Sequence, residues 1–335
     1  MKPLSQRLEE RRPILLDGAT GTELQRRGVP MDGVAWCGLA VASHPEIVRQ
    51  VHLDYIQAGA EVIITNTFAS GRHLLRAAGA EALTESVNRQ AVLEARQARD
   101  EAAAAKAGAV ESGWELAPED VWIAGSISPM AAAADGSSRP SLRDMAAIFT
   151  EQAELLADSG VDLLLLEMMR DIDFSCAALE AASATGLPVW VGFSCKRTQQ
   201  GRLVMHPAIG DEIGFEACVA AVMAQGGSLA AVMHSDVNVI GDALSVIQTV
   251  WDGPAGAYPE SGYFEMPNWQ FVDIIQPQAF ADEAQKWVEQ GAKLVGGCCG
   301  IGVAHIRTMA RRLRETHRKA PPSNGRAAGS FAAPK

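Results

Sequence analysis

Two adjacent cysteines near the C-terminal end of the chain are the clearest source of chemistry. Cys298 and Cys299 lie in a Gly-Gly-Cys-Cys-Gly run at residues 296–300, directly after an apolar segment that ends at Val295. A disulfide between neighbouring cysteines is strained, because its small ring holds the bond away from the preferred dihedral angle. Two thiolates at the end of a buried strand can instead turn toward one soft cation such as zinc. The motif therefore predicts a metal site that needs a third ligand from elsewhere in the chain.

The composition limits the class of protein to which the chain belongs. Its 335 residues are 48% hydrophobic and 21% charged, which is enough for one large domain with a buried core. The net charge of −11 argues against a nucleic-acid partner, which would require a basic face. No apolar stretch reaches the roughly 20 residues that cross a membrane, and residues 1–12 lack the apolar core of a signal peptide. With six cysteines and no secretion signal, we expect a cytoplasmic enzyme with reduced thiols, and the sequence leaves homo-oligomerisation open.

Short apolar runs alternate with amphipathic segments along the chain. The runs that indicate strands lie at residues 14–16, 62–64, 121–123, 163–166, 189–191, 229–233, 256–257 and 293–295. Helical patterns between them include residues 45–57, 83–105, 141–158 and 212–225. This alternation favours an α/β protein with a single-domain (β/α)8 TIM barrel over residues 1–317 and a disordered tail at 318–335. An open doubly wound sheet fits less well, because no Gly-x-Gly-x-x-Gly turn follows the first strand.

Polar and thiol side chains follow the predicted strands at their carboxyl ends. They are Asp17, Asn66, Thr67, Glu167, His234, Cys298 and Cys299. In a (β/α)8 barrel these strand ends form one rim, and the chemistry takes place there. Polar residues follow strands in any α/β protein, but that explanation does not account for a buried acid and two thiols. We therefore expect these side chains to surround one site.

Several motifs together resemble those of the homocysteine S-methyltransferase family. They are Asp-Gly-Ala-Thr-Gly-Thr-Glu-Leu at 17–24, Trp36, the segment 52–68 with its Thr-Asn-Thr-Phe end, Gly-Ser-Ile-Ser-Pro at 125–129, Glu167, Tyr-Pro-x-Ser-Gly at 258–262 and the double cysteine. The resemblance spans roughly residues 12–312. The combination of the opening motif with the double cysteine is specific. It implies a (β/α)8 barrel in which Zn2+ activates a thiol, with homocysteine as the acceptor and methionine as the product.

The resemblance also implies the zinc ligands. In the family, one cysteine ends the sixth strand and two more lie in the Gly-Gly-Cys-Cys-Gly motif. Cys298 and Cys299 match the pair, and His234 stands where the sixth-strand cysteine is expected. Histidine is a competent zinc ligand, and Asp236 is a candidate to orient its imidazole. Two thiolates and an imidazole leave zinc neutral, whereas three thiolates leave it anionic, so an incoming thiolate would be held more tightly and be less nucleophilic. The alternative for His234 is a histidine that bonds only a neighbouring loop.

The substrate-binding residues are likewise implied by the resemblance. Asp17 and Glu167 match positions that hold the ammonium group of the amino-acid thiol. Backbone amides near Gly18 and Thr67 are candidates to bind its carboxylate. The alternatives are a turn former for Asp17 and a strand-end salt bridge for Glu167.

The methyl donor needs a good leaving group, either a sulfonium or a quaternary ammonium. A cage for such a cation uses aromatic faces, for which Trp36 and Phe68 are the candidates. Family members that use betaine carry a tyrosine after the acid that Glu167 matches, whereas this chain has Met168. The sequence therefore favours S-methylmethionine or S-adenosylmethionine over a methylammonium donor. A further departure is Glu260, which replaces an asparagine of the family's Tyr-Pro-x-Ser-Gly loop.

Two other functions remain open at the level of sequence. A His/Cys/Cys zinc site also suits a barrel metallohydrolase that activates water, with Asp236 or Glu167 as the general base. A metal-free protein that binds a methylated compound without turnover is the other alternative, and it would tolerate the loss of Cys298. The main prediction is a zinc-dependent S-methyltransferase whose partners are small molecules, a thiol acceptor and a methyl donor.

Overall fold

The computed structural model describes residues 3–106, 121–132, 138–206, 212–265 and 270–319. The elements in chain order are α1 (Leu4–Glu9), β1 (Ile14–Leu15), α2 (Thr20–Arg26), α3 (Ala40–Ser43), α4 (Pro45–Ala58), β2 (Val62–Ile64), α5 (Arg72–Ala77), α6 (Thr84–Lys106), β3 (Trp122–Ile127), α7 (Leu142–Ser159), β4 (Leu163–Met169), α8 (Ile172–Ser183), β5 (Val189–Arg197), β6 (Leu203–Met205), α9 (Phe215–Met223), β7 (Leu229–Asp236), α10 (Ile240–Val250), β8 (Ala255–Glu260), β9 (Tyr263–Glu265), β10 (Gln270–Val272), α11 (Pro277–Glu289), β11 (Leu294–Val295) and α12 (Val303–Lys319). Short 3-10 turns lie at Glu81–Leu83 and Val237–Val239. Of the predicted tail at 318–335, the first two residues end α12 and residues 320–335 lie outside the described residues.

Eight parallel strands form a barrel. Their order is β1-β2-β3-β4-β5-β7-β8-β11, and β11 pairs with β1 again. The contact between β1 and β2 is the shortest, consisting of a bridge between Leu16 and Val62 and a 3.0 Å hydrogen bond from the amide of Asp17 to the carbonyl of Val62. Helices alternate with these strands along the chain. The structure therefore confirms the predicted (β/α)8 fold.

The strands separate two apolar cores, one inside the barrel and one between the barrel and its helices. Leu163 and Leu165 of β4 belong to the inner core, whereas Leu164 and Leu166 pack in the outer core. Successive side chains of a strand point to opposite faces, so a strand covered on both sides is apolar throughout. Helix α1 closes the amino end of the barrel with two leucines that join the inner core. This arrangement explains why the strands were visible in the sequence as continuous apolar runs.

The predicted elements agree with the observed ones except where segments are short. The helices predicted at 45–57 and 141–158 are α4 and α7, whereas the pattern at 212–225 extends beyond the nine residues of α9. Strand β6, which pairs antiparallel with β5, and the hairpin of β9 and β10 were not predicted. Each has three residues, too few to show a periodic pattern. None of the described helices combines the length and apolarity that crossing a membrane would require.

Candidate metal and substrate site

His234, Cys298 and Cys299 converge at the carboxyl ends of β7 and β11, the sixth and eighth strands of the barrel. Their ligand atoms all lie within 4.8 Å of one another, and the two sulfur atoms are 3.9 Å apart. Tetrahedral zinc with bonds of about 2.3 Å to sulfur separates two thiolates by about 3.8 Å. Three protein ligands of this kind are also the number that catalytic zinc sites use. The donor set and its spacing therefore fit a zinc ion.

Backbone hydrogen bonds hold the cysteine loop against the neighbouring strands. The amide of Gly297 donates to the carbonyl of Asp17 over 3.0 Å, and the amide of Cys298 donates to the carbonyl of Pro259 over 2.7 Å. A β-carbon at Gly297 would lie 2.2 Å from the side chain of Ile301, so a larger residue does not fit there. The strands on either side of β11 thus fix the position of both thiols at the rim.

Glu260 orients the imidazole of His234. Nδ1 of His234 donates to Oε2 of Glu260 over 2.7 Å, which leaves Nε2 as the nitrogen for a metal. Burial lowers the pKa of His234, but hydrogen bonds to Cys298 and Glu260 outweigh it and raise the pKa to about 10. Asp236, the orienting residue suggested by the sequence, instead accepts a 2.9 Å hydrogen bond from the amide of Asn238 and is exposed. The carboxylate in contact with the predicted ligand is therefore Glu260.

Strained backbone is concentrated around this site. Among the described residues other than glycine, φ is positive at Trp36, Met168, His234 and Asp273, and the first three line one cavity. Strand pairing also shifts register next to Met168 and next to His234, so that β4 and β7 both bulge there. Such conformations cost on the order of 1–3 kcal/mol each, and bulges of this kind redirect side chains at strand ends. The strained backbone is therefore found where the side chains of Trp36, Met168 and His234 are directed into the cavity.

Two buried carboxylates lie near the candidate ligands His234, Cys298 and Cys299. Glu167 accepts a hydrogen bond from the hydroxyl of Ser126, and burial raises the pKa of Glu167 to about 7. Asp17 Oδ2 accepts from the amide of Ile64 over 2.8 Å, but Oδ1 is buried without a partner. Burial, and to a smaller degree the charge of Glu167, raises the pKa of Asp17 well above its usual range. A cation placed between the two acids would supply the donor and the charge that they lack.

A cavity of about 270 Å³ opens in front of the cysteines and Glu167. Its wall is mostly apolar and includes Trp36, Phe68, Met168 and Tyr258. The rings of Trp36 and Phe68 meet edge to face, with centroids 6.2 Å apart. An apolar pocket with a few convergent polar groups is typical of a small-molecule site.

The fold brings most of the predicted site residues to this cavity. Those that line it are Gly18, Trp36, Asn66, Phe68, Glu167, His234, Cys298 and Cys299. Asp17 is fully buried next to the cavity and is not part of its lining. Thr67 lies behind the wall, where its hydroxyl donates to the carbonyl of Ser126 and its amide to the carbonyl of Thr65, each over 2.7 Å. Both donors of Thr67 are thus already engaged, and its role in binding a carboxylate stays a prediction.

Two polar residues of the site were not identified from the sequence. In the sequence, Glu260 is only a departure from a family motif. Its contact with His234 joins two neighbouring strands, β8 and β7, and such a contact cannot be read from the sequence. Arg170 lines the cavity three residues after Glu167. Its position just beyond the carboxyl end of β4 was the available signal, because functional residues of barrels gather there.

Comparison with known proteins places the chain in a family. The family model described as homocysteine S-methyltransferase matches residues 14–313. The chain belongs to the homocysteine S-methyltransferase family. It is therefore an enzyme of the methyltransferase class, and the matched range contains His234, Cys298, Cys299 and every residue that lines the cavity.

Individual members of the homocysteine S-methyltransferase family are similar over almost their whole length. The selenocysteine methyltransferase of Astragalus bisulcatus is 30% identical over 331 residues, covering 90% of this chain and 93% of that protein. The homocysteine S-methyltransferase of Escherichia coli K12 is 29% identical, covering 92% of this chain and 98% of its own. The crystal structure of the homocysteine methyltransferase MmuM from Escherichia coli in its metallated form matches with a TM-score of 0.75 at 26% identity, covering 93% and 100%. A metal in that relative is consistent with the donor set found here.

Proposed function

We propose that this enzyme transfers a methyl group to the sulfur of homocysteine, with zinc held by His234, Cys298 and Cys299. The observation that carries the proposal is the convergence of these three ligand atoms within 4.8 Å beside buried carboxylates. Zinc bound there would supply a Lewis acid that keeps the acceptor sulfur deprotonated at neutral pH, where a thiol with a pKa near 8.5 is mostly protonated.

Asp17 and Glu167 bind the ammonium group of the acceptor in this proposal. An ammonium carries three donors and a positive charge, and the unpartnered Oδ1 of Asp17 needs one donor. The same charge lowers the raised pKa values of both buried acids, that of Glu167 from about 7, so that both acids are ionised in the complex. Acceptor binding at or below neutral pH is then coupled to the release of protons from these acids.

The donor is a sulfonium compound, S-methylmethionine or S-adenosylmethionine, in preference to a methylammonium compound. Trp36 and Phe68 supply aromatic faces for the methyl-bearing cation, and Met168 lines the wall where betaine-using members carry a tyrosine. A lone pair of the acceptor sulfur forms the new bond to the methyl carbon while the bond to the sulfonium sulfur breaks, and the donor leaves as a neutral thioether. The residues of the cavity contribute alignment of the two sulfur atoms and exclusion of water.

Metal analysis of the purified, reduced protein tests this function. We expect one zinc per chain, and X-ray absorption should show two sulfur ligands and one nitrogen ligand, with a third sulfur after homocysteine is added. His234→Ala should lose the nitrogen ligand and most of the metal. Methionine formation is then measured with each candidate donor. Zinc that keeps an oxygen ligand in the presence of homocysteine, or protein that binds no zinc, would contradict the proposal.

A further inference from the structure

Arg170 is a buried cation in the wall of the cavity. Its residue is only 6% exposed, and it follows the last residue of β4. Its Nε is buried without a hydrogen-bond partner, and no hydrogen bond or ion pair joins the guanidinium to any residue that the structure describes. Most guanidinium groups at this depth are paired, because a charge removed from water loses its solvation. A buried guanidinium whose Nε has no partner therefore needs an explanation.

The acid next to Arg170 in the chain is already engaged. Asp171 Oδ2 accepts from Nη2 of Arg139 over 2.5 Å, and Oδ1 accepts from the amide of Phe174 over 2.9 Å at the start of α8. Arg139 also lies over the ring of Phe174, 3.4 Å from its centroid. The neighbours of Arg170 are thus a second cation, Arg139, and an acid, Asp171, whose two carboxylate oxygens already accept hydrogen bonds from other groups.

The guanidinium keeps its charge in this setting. Burial, and then the charge of Arg139, lowers the pKa of Arg170 to about 10, which still leaves it cationic at neutral pH. A charged group held out of water is stabilised by an opposite charge with good hydrogen bonds. Because the side chain lines the cavity, an anion that enters the cavity can provide both.

We propose that Arg170 binds the carboxylate of the methyl donor, an inference that rests on the proposed function. The donor then carries a carboxylate in addition to its sulfonium, as S-methylmethionine and S-adenosylmethionine both do. Its methyl-bearing cation faces Trp36 and Phe68, and its carboxylate faces the guanidinium fork, which binds carboxylates through two parallel hydrogen bonds.

The position of Arg170 favours the donor over the acceptor. The ammonium and the carboxylate of an α-amino acid share one carbon and lie about 3 Å apart. Asp171, the acid next to Arg170 in the chain, pairs with Arg139, whereas His234 pairs with Glu260 beside the cysteines. We therefore assign Arg170 to a subsite of its own within the cavity, apart from the acids that hold the ammonium of the acceptor. An acceptor held through its ammonium by the acids leaves Arg170 to a second molecule.

Titration calorimetry on the zinc-loaded protein tests this assignment. The ligands are homocysteine, S-methylmethionine, S-adenosylmethionine and betaine, together with the carboxamide of each donor, which keeps the cation and lacks the carboxylate. The variants are Arg170→Gln, Arg170→Lys and, as a control, Arg89→Gln, which removes an exposed guanidinium on α6. We expect Arg170→Gln to weaken binding of the donor about 10- to 100-fold and to leave homocysteine binding within about twofold of wild type. The carboxamide should bind wild type and Arg170→Gln equally, and Arg170→Lys should be intermediate because it keeps the charge without the fork.

Several results would overturn the assignment. One is a loss of homocysteine affinity with unchanged donor affinity, and another is unchanged affinity for every ligand. A third is wild-type protein that binds no donor more tightly than its carboxamide. Removal of an unpaired buried cation should maintain or raise the melting temperature of the ligand-free protein. A variant that fails to fold would be recognised by thermal denaturation, and the donor affinity of Arg170→Lys would then decide the assignment. Failure of the proposed function would differ, because wild type would bind the donor through Arg170 and form no methionine.

Discussion

The contact between Glu260 and His234 makes a quantitative prediction about metal affinity. The carboxylate oxygen accepts from Nδ1 over 2.7 Å, and the two side chains are 22% and 26% exposed. Glu260 therefore fixes the imidazole with Nε2 toward the cysteines and, in the proposed site, would add one negative charge to the neutral set of zinc, two thiolates and imidazole. The total charge then equals that of zinc with three thiolates. Replacement of Glu260 should weaken zinc binding even though it is not itself a ligand.

The size of the effect follows from what each substitution removes. Loss of the partner that orients a metal-bound histidine typically costs 10- to 100-fold in affinity, or about 1.4–2.7 kcal/mol. Glu260→Gln keeps an acceptor oxygen and loses the charge, so we expect zinc affinity to fall by about 10-fold. Glu260→Ala loses both and should approach about 100-fold. The partial exposure of the pair screens its charge, which keeps the expected loss within this range.

Competition with a chromophoric chelator measures these affinities at fixed pH and salt. Cobalt substitution adds a spectroscopic reading, since absorption bands report whether the nitrogen ligand is retained. Asp236→Asn is the matched control, because Asp236 lies two residues from His234 and accepts only from the amide of Asn238 among the described contacts. The order of affinity should be wild type and Asp236→Asn, then Glu260→Gln, then Glu260→Ala. Equal affinity in wild type and Glu260→Ala would refute the reasoning, and so would a loss in Asp236→Asn as large as that in Glu260→Gln.

Three further predictions concern other parts of the site. His234→Ala should lose zinc affinity by at least about 100-fold in the same competition assay, whereas His234→Cys should retain the metal because a thiolate can replace the imidazole. In the folded, metal-free protein, buried Glu167 has a pKa of about 7, whereas its usual pKa is 4.5. The free energy of unfolding should therefore fall by about 3 kcal/mol as the pH rises from 4.5 to above 7. Glu167→Gln should lack this contribution, so identical pH dependence of urea unfolding in the two proteins would contradict it. Gly21→Ala should cost about 1–3 kcal/mol of stability and raise the KM for the donor, because the new β-carbon would lie 2.4 Å from the ring of Trp36. The control Gly33→Ala should change neither quantity, since no atom lies within 4 Å of its new β-carbon.

The barrel was predictable because its strands are buried on both faces. The run at 163–166 is apolar at every position, since one leucine pair faces the inner core and the other faces the helices. Parallel strands also place their carboxyl ends at one rim, so the sequence alone predicts a common site for Glu167, His234 and the cysteine pair. Loops and three-residue strands carry no comparable periodic signal, so the hairpin that brings Phe271 to the cavity was missed.

The partners of the site residues were not predictable in the same way. His234 and Glu260 lie on different strands, and their hydrogen bond depends on a bulge that sets φ of His234 to +43°. Asp236 is nearer to His234 in the sequence, but its carboxylate accepts a hydrogen bond from the amide of Asn238 in the following turn. Distance along the chain is a poor guide to contact once strands are bulged, because the bulge changes the face to which each side chain points.

The sequence by itself determined the barrel, the family, the types of the proposed metal ligands and their place at the carboxyl ends of the strands. These properties depend on the local apolar pattern and on the residue types that follow each strand. Only the tertiary structure decided which buried polar atoms of the described residues remain without partners, such as Asp17 Oδ1 and Arg170 Nε, and which are engaged, as in Thr67. Hydrogen-bond partners come from segments distant in the chain, and burial makes each missing partner costly. The sites that a ligand must complete are therefore a property of the folded chain.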